Sequence, residues 1–154
     1  MILASELFCL PDMEENLVIT SGGSRNPYSE QKQSGANFNP YVQMKGSEVF
    51  KNGSRSMAEA ARIVIEKAGV SASDIKWFIP HQANLRIIEM VAKLAEIPMD
   101  KVYVNLDRWG NTSAATVAIA MAEMNRKKLL NKGDLILLDV FGGGYTYGAL
   151  LLRW

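Results

Sequence analysis

Ile75-Lys76-Trp77-Phe78-Ile79-Pro80-His81-Gln82-Ala83-Asn84 is the stretch on which the fold turns. Ile75 to Ile79 reads as a buried strand, and the ring of Pro80 favours extended geometry at Ile79 and then ends the run. Asn84 is suited to cap a helix whose Leu85, Ile88, Ala92 and Ala95 fall on one face, with Pro98 marking the next connection. A strand that hands over directly to a helix is the building unit of an α/β sheet. His81 sits at that junction and is the only histidine among 154 residues, so imidazole chemistry has a single candidate.

Two similar units follow. Val102 to Leu106 reads as a strand, then the turn Trp109-Gly110-Asn111, then a helix from about Ser113 to Leu130. Its opening residues Ala114, Ala115 and Ala118 are small enough to admit a close neighbour. Leu135 to Val140 is the next strand, running through Phe141-Gly142-Gly143-Gly144 into a last strand, Thr146 to Arg153. The short turn between these two predicts antiparallel pairing. Upstream, Phe50, Met57, Ala61, Val64 and Ala68 form a helical stripe over Ser47 to Gly69, with Gly69 suited to a left-handed stop. Gly53 inside that helix costs about 1 kcal/mol relative to alanine, which points to a close packing contact. Ile2 to Leu10 reads as a strand, and Pro11 to about Gln43 is turn-rich, punctuated by Gly22-Gly23, Asn26-Pro27, Gly35 and Asn39-Pro40. The expected organisation is therefore residues 1–43 as strand and long loop, and 44–154 as a mixed, mostly parallel five-stranded sheet with helices on its faces. Parallel strands present their carboxyl ends along one edge, where ligands bind, which brings His81, Asn111 and the triple glycine together.

Composition narrows the function. Hydrophobic residues make up 48% and charged residues 21%, as in globular domains. A net charge of +1 predicts no general affinity for nucleic acid or an anionic membrane. No apolar run approaches the roughly 18 residues of a membrane helix, and no basic segment precedes Met1-Ile2-Leu3, so no signal peptide is read. Cys9 is the only cysteine, which excludes an internal disulfide and suits a reducing cytosol. No cluster has metal-ligand spacing, and no glycine-rich phosphate motif with a following lysine is present. Metal and nucleotide-hydrolysis chemistry are not expected.

Each candidate has an ordinary reading beside the chemical one. A lone histidine beside a strand also serves as a structural hydrogen-bonding residue, Asn111 also forms turns, and a glycine run also makes a tight strand connection. Together at one edge they favour a site. An imidazole and a side-chain amide can both donate to a carbonyl oxygen that is gaining negative charge, as an enolate formed from a thioester requires. Arg86 and Lys93, seven apart on one helix face, form a basic strip suited to an acidic protein or a phosphate, or simply to water.

The strings His81-Gln82-Ala83-Asn84-Leu85-Arg86 and Gly110-Asn111-Thr112-Ser113-Ala114-Ala115, followed by Phe141-Gly142-Gly143-Gly144, resemble the C-terminal half of β-ketoacyl-acyl-carrier-protein synthase III. The resemblance implies a thiolase-like half-domain. It implies that acyl-coenzyme A loads a cysteine, and that malonyl-acyl carrier protein is decarboxylated to an enolate that attacks the acyl group. Coenzyme A enters as a substrate thioester, with no resident cofactor. On this resemblance His81 and Asn111 hold the malonyl thioester oxygen, and the Gly143 N–H serves the oxyanion hole. Ser47, Phe50, Ala83, Asn84 and Phe141 line the pantetheine channel, with serine at 47 replacing the more familiar asparagine. Arg86 and Lys93 then contact the carrier protein.

The family nucleophile, a cysteine at the start of a buried helix, has no counterpart here. Cys9 lies in an apparent strand and is read as a buried apolar residue. The isolated chain is expected to be inactive: either a fragment of a longer product or a half-protein completed by another chain. An uncovered apolar face then predicts self-association, a homodimer, or a partner half. Two other readings stay open: a non-catalytic module that binds coenzyme A or carrier protein, and a related polyketide or hydroxymethylglutaryl-type condensing enzyme.

Overall fold

A computed structural model of the chain describes residues 1–29 and 38–154; Gly35, expected to mark a turn, lies outside them. The principal elements of the described residues are β1 (Ile2–Cys9), β2 (Leu17–Val18), β3 (Gln43–Met44), α1 (Gly46–Lys67), β4 (Trp77–Pro80), α2 (Leu85–Leu94), α3 (Leu106–Trp109), α4 (Thr116–Arg126), β5 (Leu135–Gly142) and β6 (Thr146–Arg153). The main sheet has the order β1-β6-β5-β4, and β2 pairs with β3 in a separate two-residue ribbon.

The sheet is mixed, but it differs from expectation in two ways. Among the described residues it has four strands rather than five, and only β4 and β5 pair in parallel, since β6 runs antiparallel to both β5 and β1. The segment expected as a strand at Val102 to Leu106 is reduced to one parallel bridge between Phe78 and Val102. A side chain explains why: Gln82 Nε2 donates to the Tyr103 carbonyl at 3.1 Å, and its Oε1 accepts from Asn105 N–H at 3.0 Å. The glutamine stands where the next strand residue would have continued the ladder, and the chain turns into α3 at Leu106.

Alternation along β5 divides the interior. Leu135 and Leu137 face α1 and α2, packing with Phe78, Met57, Val64 and Ile88. Ile136 faces α4, with Ile79, Ala120 and Met124. Burying each such side chain contributes roughly 1.5–3 kcal/mol. The stop at Gly69 is left-handed as expected, with φ +66. The contact implied by Gly53 is with Phe141, whose Cε1 lies 3.3 Å from where a Cβ would stand. Asp139, in the same apolar strand, is fully buried, and its carboxyl oxygens have no partner among the described residues. Burial pushes that carboxyl well above its ordinary range, so the stability it carries is present at low pH and is lost as pH rises through its raised pKa.

α4 covers only the β4 side of its face of the sheet. On β1, Leu7 is 83% exposed while Phe8 and Leu10 pack inward. Ala114, Ala115 and Ala118 are exposed as well. Cys9 corrects an expectation: it is exposed rather than buried, because it lies on the outward row with Ser5 and Leu7, and its Sγ is 3.4 Å from the Gly144 carbonyl oxygen.

Candidate active site

His81 follows the last residue of β4 and is pinned by its backbone on both sides. Its N–H donates to Asp139 O at 2.7 Å, and its carbonyl accepts from Ala83 N–H at 3.0 Å. Asn111 follows Gly110, whose φ of +65 lets the chain double back after α3. The Asn111 Oδ1 accepts from Ser113 N–H at 2.9 Å, so its Nδ2 hydrogens remain for a ligand. The β5–β6 connection is Gly143-Gly144-Tyr145, and Gly144 takes φ +93, which few residues other than glycine adopt.

Although thirty positions apart in sequence, His81 and Asn111 line one cavity of about 710 Å3, together with Phe141, Gly142 and Gly143. Leu7, Phe8, Leu17, Val42 and Val140 make much of the remaining wall apolar. Such a wall lowers the local dielectric and strengthens hydrogen bonds made against it. Ser47, Phe50, Ala83 and Asn84 stand outside that wall. Ser47 is exposed at the start of α1, Phe50 and Ala83 pack against the core, and Asn84 Oδ1 caps α2 by accepting from Ile87 N–H at 3.0 Å. Arg86 and Lys93 are exposed on α2, as a docking strip requires.

Burial holds the His81 imidazole below its ordinary pKa of 6.5, so it is largely neutral at pH 7 and can act as a neutral donor. Its folded-state pKa is depressed, so the associated stability is full above that ordinary value and falls away as acid protonates the buried ring. As the only histidine, it gives a single Cε1–H proton resonance. Titrating that signal is expected to give a midpoint below 6.5, and a midpoint at or above 6.5 would contradict the burial described.

Sequence reasoning weighed Gln82 only as a further amide that decides little, and passed over Glu123 on α4; Gln82 is 1% exposed and bonded through both ends of its amide. An isolated glutamine or a helical glutamate carries no signal of such a role, because its partners lie far away in sequence.

Helices on both faces of a mixed sheet, with a histidine and an asparagine converging beside a glycine turn, define a unit of the thiolase-fold enzymes. The sequence model for the family described as 3-Oxoacyl-[acyl-carrier-protein (ACP)] synthase III C terminal matches residues 65–154. The chain is 48% identical over 137 residues to the Beta-ketoacyl-[acyl-carrier-protein] synthase III of Oleidesulfovibrio alaskensis, covering 89% of this chain and 41% of that protein. It superposes on the crystal structure of 3-oxoacyl-[acyl-carrier-protein] synthase III from Aquifex aeolicus with a TM-score of 0.86 and 41% identity, over 99% of this chain and 44% of that one. The priming β-ketosynthase of the R1128 polyketide pathway superposes with a TM-score of 0.85 at 32% identity, over 99% of this chain and 45% of that one. This chain belongs to the β-ketoacyl-acyl-carrier-protein synthase III family and spans about two fifths of the length of the curated relatives it matches, at their C-terminal part.

Proposed function

We propose that the chain supplies the His/Asn half of a decarboxylative condensing site, completed by a cysteine-bearing partner half. The observation that carries this reading is the convergence of His81 and Asn111 on one cavity beside the Gly143 turn. The malonyl thioester oxygen accepts from the His81 imidazole N–H and the Asn111 Nδ2. As the bond to the carboxylate breaks, carbon dioxide leaves, and its electron pair forms an enolate whose oxygen these donors stabilise. The enolate carbon then attacks the acyl-cysteine carbonyl of the partner half. Charge builds on that oxygen, the Gly143 N–H holds it, and the thiolate departs.

In this reading the pantetheine arm runs past Ser47, Phe50, Ala83, Asn84 and Phe141, and Arg86 and Lys93 meet the acidic carrier protein. Coenzyme A and carrier-protein thioesters are substrates, no resident cofactor is needed, and the reaction belongs in the cytosol. Exposed Leu7, with Ala114 on the same cavity wall, is covered by the partner half or by a second copy of the chain.

The test is reconstitution with the cysteine-bearing half of a synthase III, followed by sedimentation and by carbon dioxide release from malonyl-carrier protein. The expected result is a stable complex that releases carbon dioxide and forms the condensed product. Thioester binding without turnover would identify a binding module instead, and a monodisperse monomer in every mixture would remove the partner half.

A further inference from the structure

Residues 104–115 carry Asn111, yet the main sheet does not hold them. After the Phe78–Val102 bridge and the Tyr103 N–H bond to Phe78 O at 2.8 Å, the strand pairing stops. Among the described residues, the non-local hydrogen bonds of this segment go to two side chains, Gln82 and Glu123. Gln82 Nε2 donates to Pro80 O at 2.9 Å and to Tyr103 O at 3.1 Å, and Gln82 Oε1 accepts from Asn105 N–H at 3.0 Å. Asn105, 2% exposed, donates through Nδ2 to Glu123 Oε2 at 3.0 Å. The Glu123 carboxylate also accepts from Arg108 Nη2 at 2.9 Å and Nε at 3.2 Å, from Trp109 Nε1 at 3.3 Å, and from Lys127 Nζ at 2.7 Å.

We propose that Gln82, Asn105 and Glu123 form a positioning relay that fixes the separation of His81 and Asn111. One end adjoins His81 in the chain. The other grips Arg108 and Trp109, which lead through Gly110 into Asn111. Every link is a side-chain bond, three members are at least partly buried, and the ionised carboxylate makes its bonds the stronger kind. The donors hold Glu123 down to about 2, the Lys127 bond foremost, then those from Asn105 and Trp109 and the Arg108 charge, so the clamp stays charged across the working pH range. These are positioning residues: none of the three lines the cavity. The proposal rests on the reading that His81 and Asn111 serve one ligand oxygen.

The test is hydrogen exchange and NMR on the full chain, with Glu123→Ala compared against Lys127→Ala, which removes one ion pair of the clamp and the bond to the Tyr103 hydroxyl but no hydrogen bond to residues 104–115. The reporter is Ser113 N–H, which donates to Asn111 Oδ1. In Glu123→Ala its exchange is expected to accelerate about tenfold or more, while amides of α1 such as Val64 keep their rates. The single His81 Cε1–H signal is expected to move further than in Lys127→Ala. Should Glu123→Ala not fold, Glu123→Gln reads the same way at smaller amplitude, since a carboxamide keeps one acceptor and loses the charge. Ser113 exchange no faster than in Lys127→Ala, or an acceleration shared equally by Val64, would overturn the relay. No substrate is involved, so a failed condensation assay and a failed relay remain separate results.

Discussion

His81→Ala, assayed with the complementing cysteine-bearing half, is expected to lower malonyl decarboxylation by roughly 10²–10³-fold, the usual effect of removing one preorganised donor from a developing oxyanion. Asn111→Ala is expected to fall in the same range. The double variant is the sharper measurement. Two donors that serve one oxygen act as a unit, so their combined loss should fall well short of the product of the single losses. Losses that simply multiply would mean that the two side chains serve different atoms. Asn111→Asp should be worse than Asn111→Ala, because a carboxylate offers lone pairs and negative charge where a proton donor is needed. Retained decarboxylation in His81→Ala would reject the site.

Gly148→Ala is expected to give the largest loss of stability from a single methyl group. A Cβ at that position in β6 would stand 2.5 Å from Glu6 O and 2.6 Å from Leu7 Cδ2, with Leu7 Cα at 3.3 Å. Leu7 can swing aside, but the Glu6 carbonyl is part of the β1–β6 ladder, in which Gly148 pairs with Leu7. Relief requires β1 to move away. Overpacking usually costs about 1–3 kcal/mol, and the backbone clash places this case at or above the upper end. At about 2–4 °C per kcal/mol for a chain of this size, melting should fall by roughly 6–12 °C. Gly46→Ala is the control, because its Cβ would meet nothing within 4 Å. Equal melting temperatures for the two variants would show that β1 is not held as described.

Those two positions mark the range of what the sequence discloses. His81 follows β4, as its strand-like run suggests, whereas Asn111 reaches the same cavity from α3 and Gly110 rather than from a strand end, a route the sequence reading did not foresee. α1 and α2 were legible from stripe and cap, down to Asn84 at the head of α2. The Val102 to Leu106 segment misled because its apolar run is real: Val102 and Tyr103 are buried. What stops the strand is an amide 21 residues upstream of Tyr103, and no local pattern records it. Cys9 misled for a related reason, since the register of β1 against β6 decides which row faces out, and that register belongs to the pair of strands. Asp139 reads as an interruption in an apolar run, yet it lies fully within the core, where its carboxyl is favoured in the neutral form.

The bond from Ser113 N–H to Asn111 Oδ1 has an outcome for molecular discrimination. An amide whose oxygen is already engaged cannot rotate to suit its visitor, so this wall of the pocket offers protons only. A carbonyl arriving there is matched on contact. An alcohol of the same outline can lend its lone pairs but finds no acceptor in the Asn111 amide for its own hydrogen, a mismatch of up to about 1–3 kcal/mol. On the proposed function, analogues reduced at that oxygen are expected to compete poorly in the reconstituted assay whatever their length.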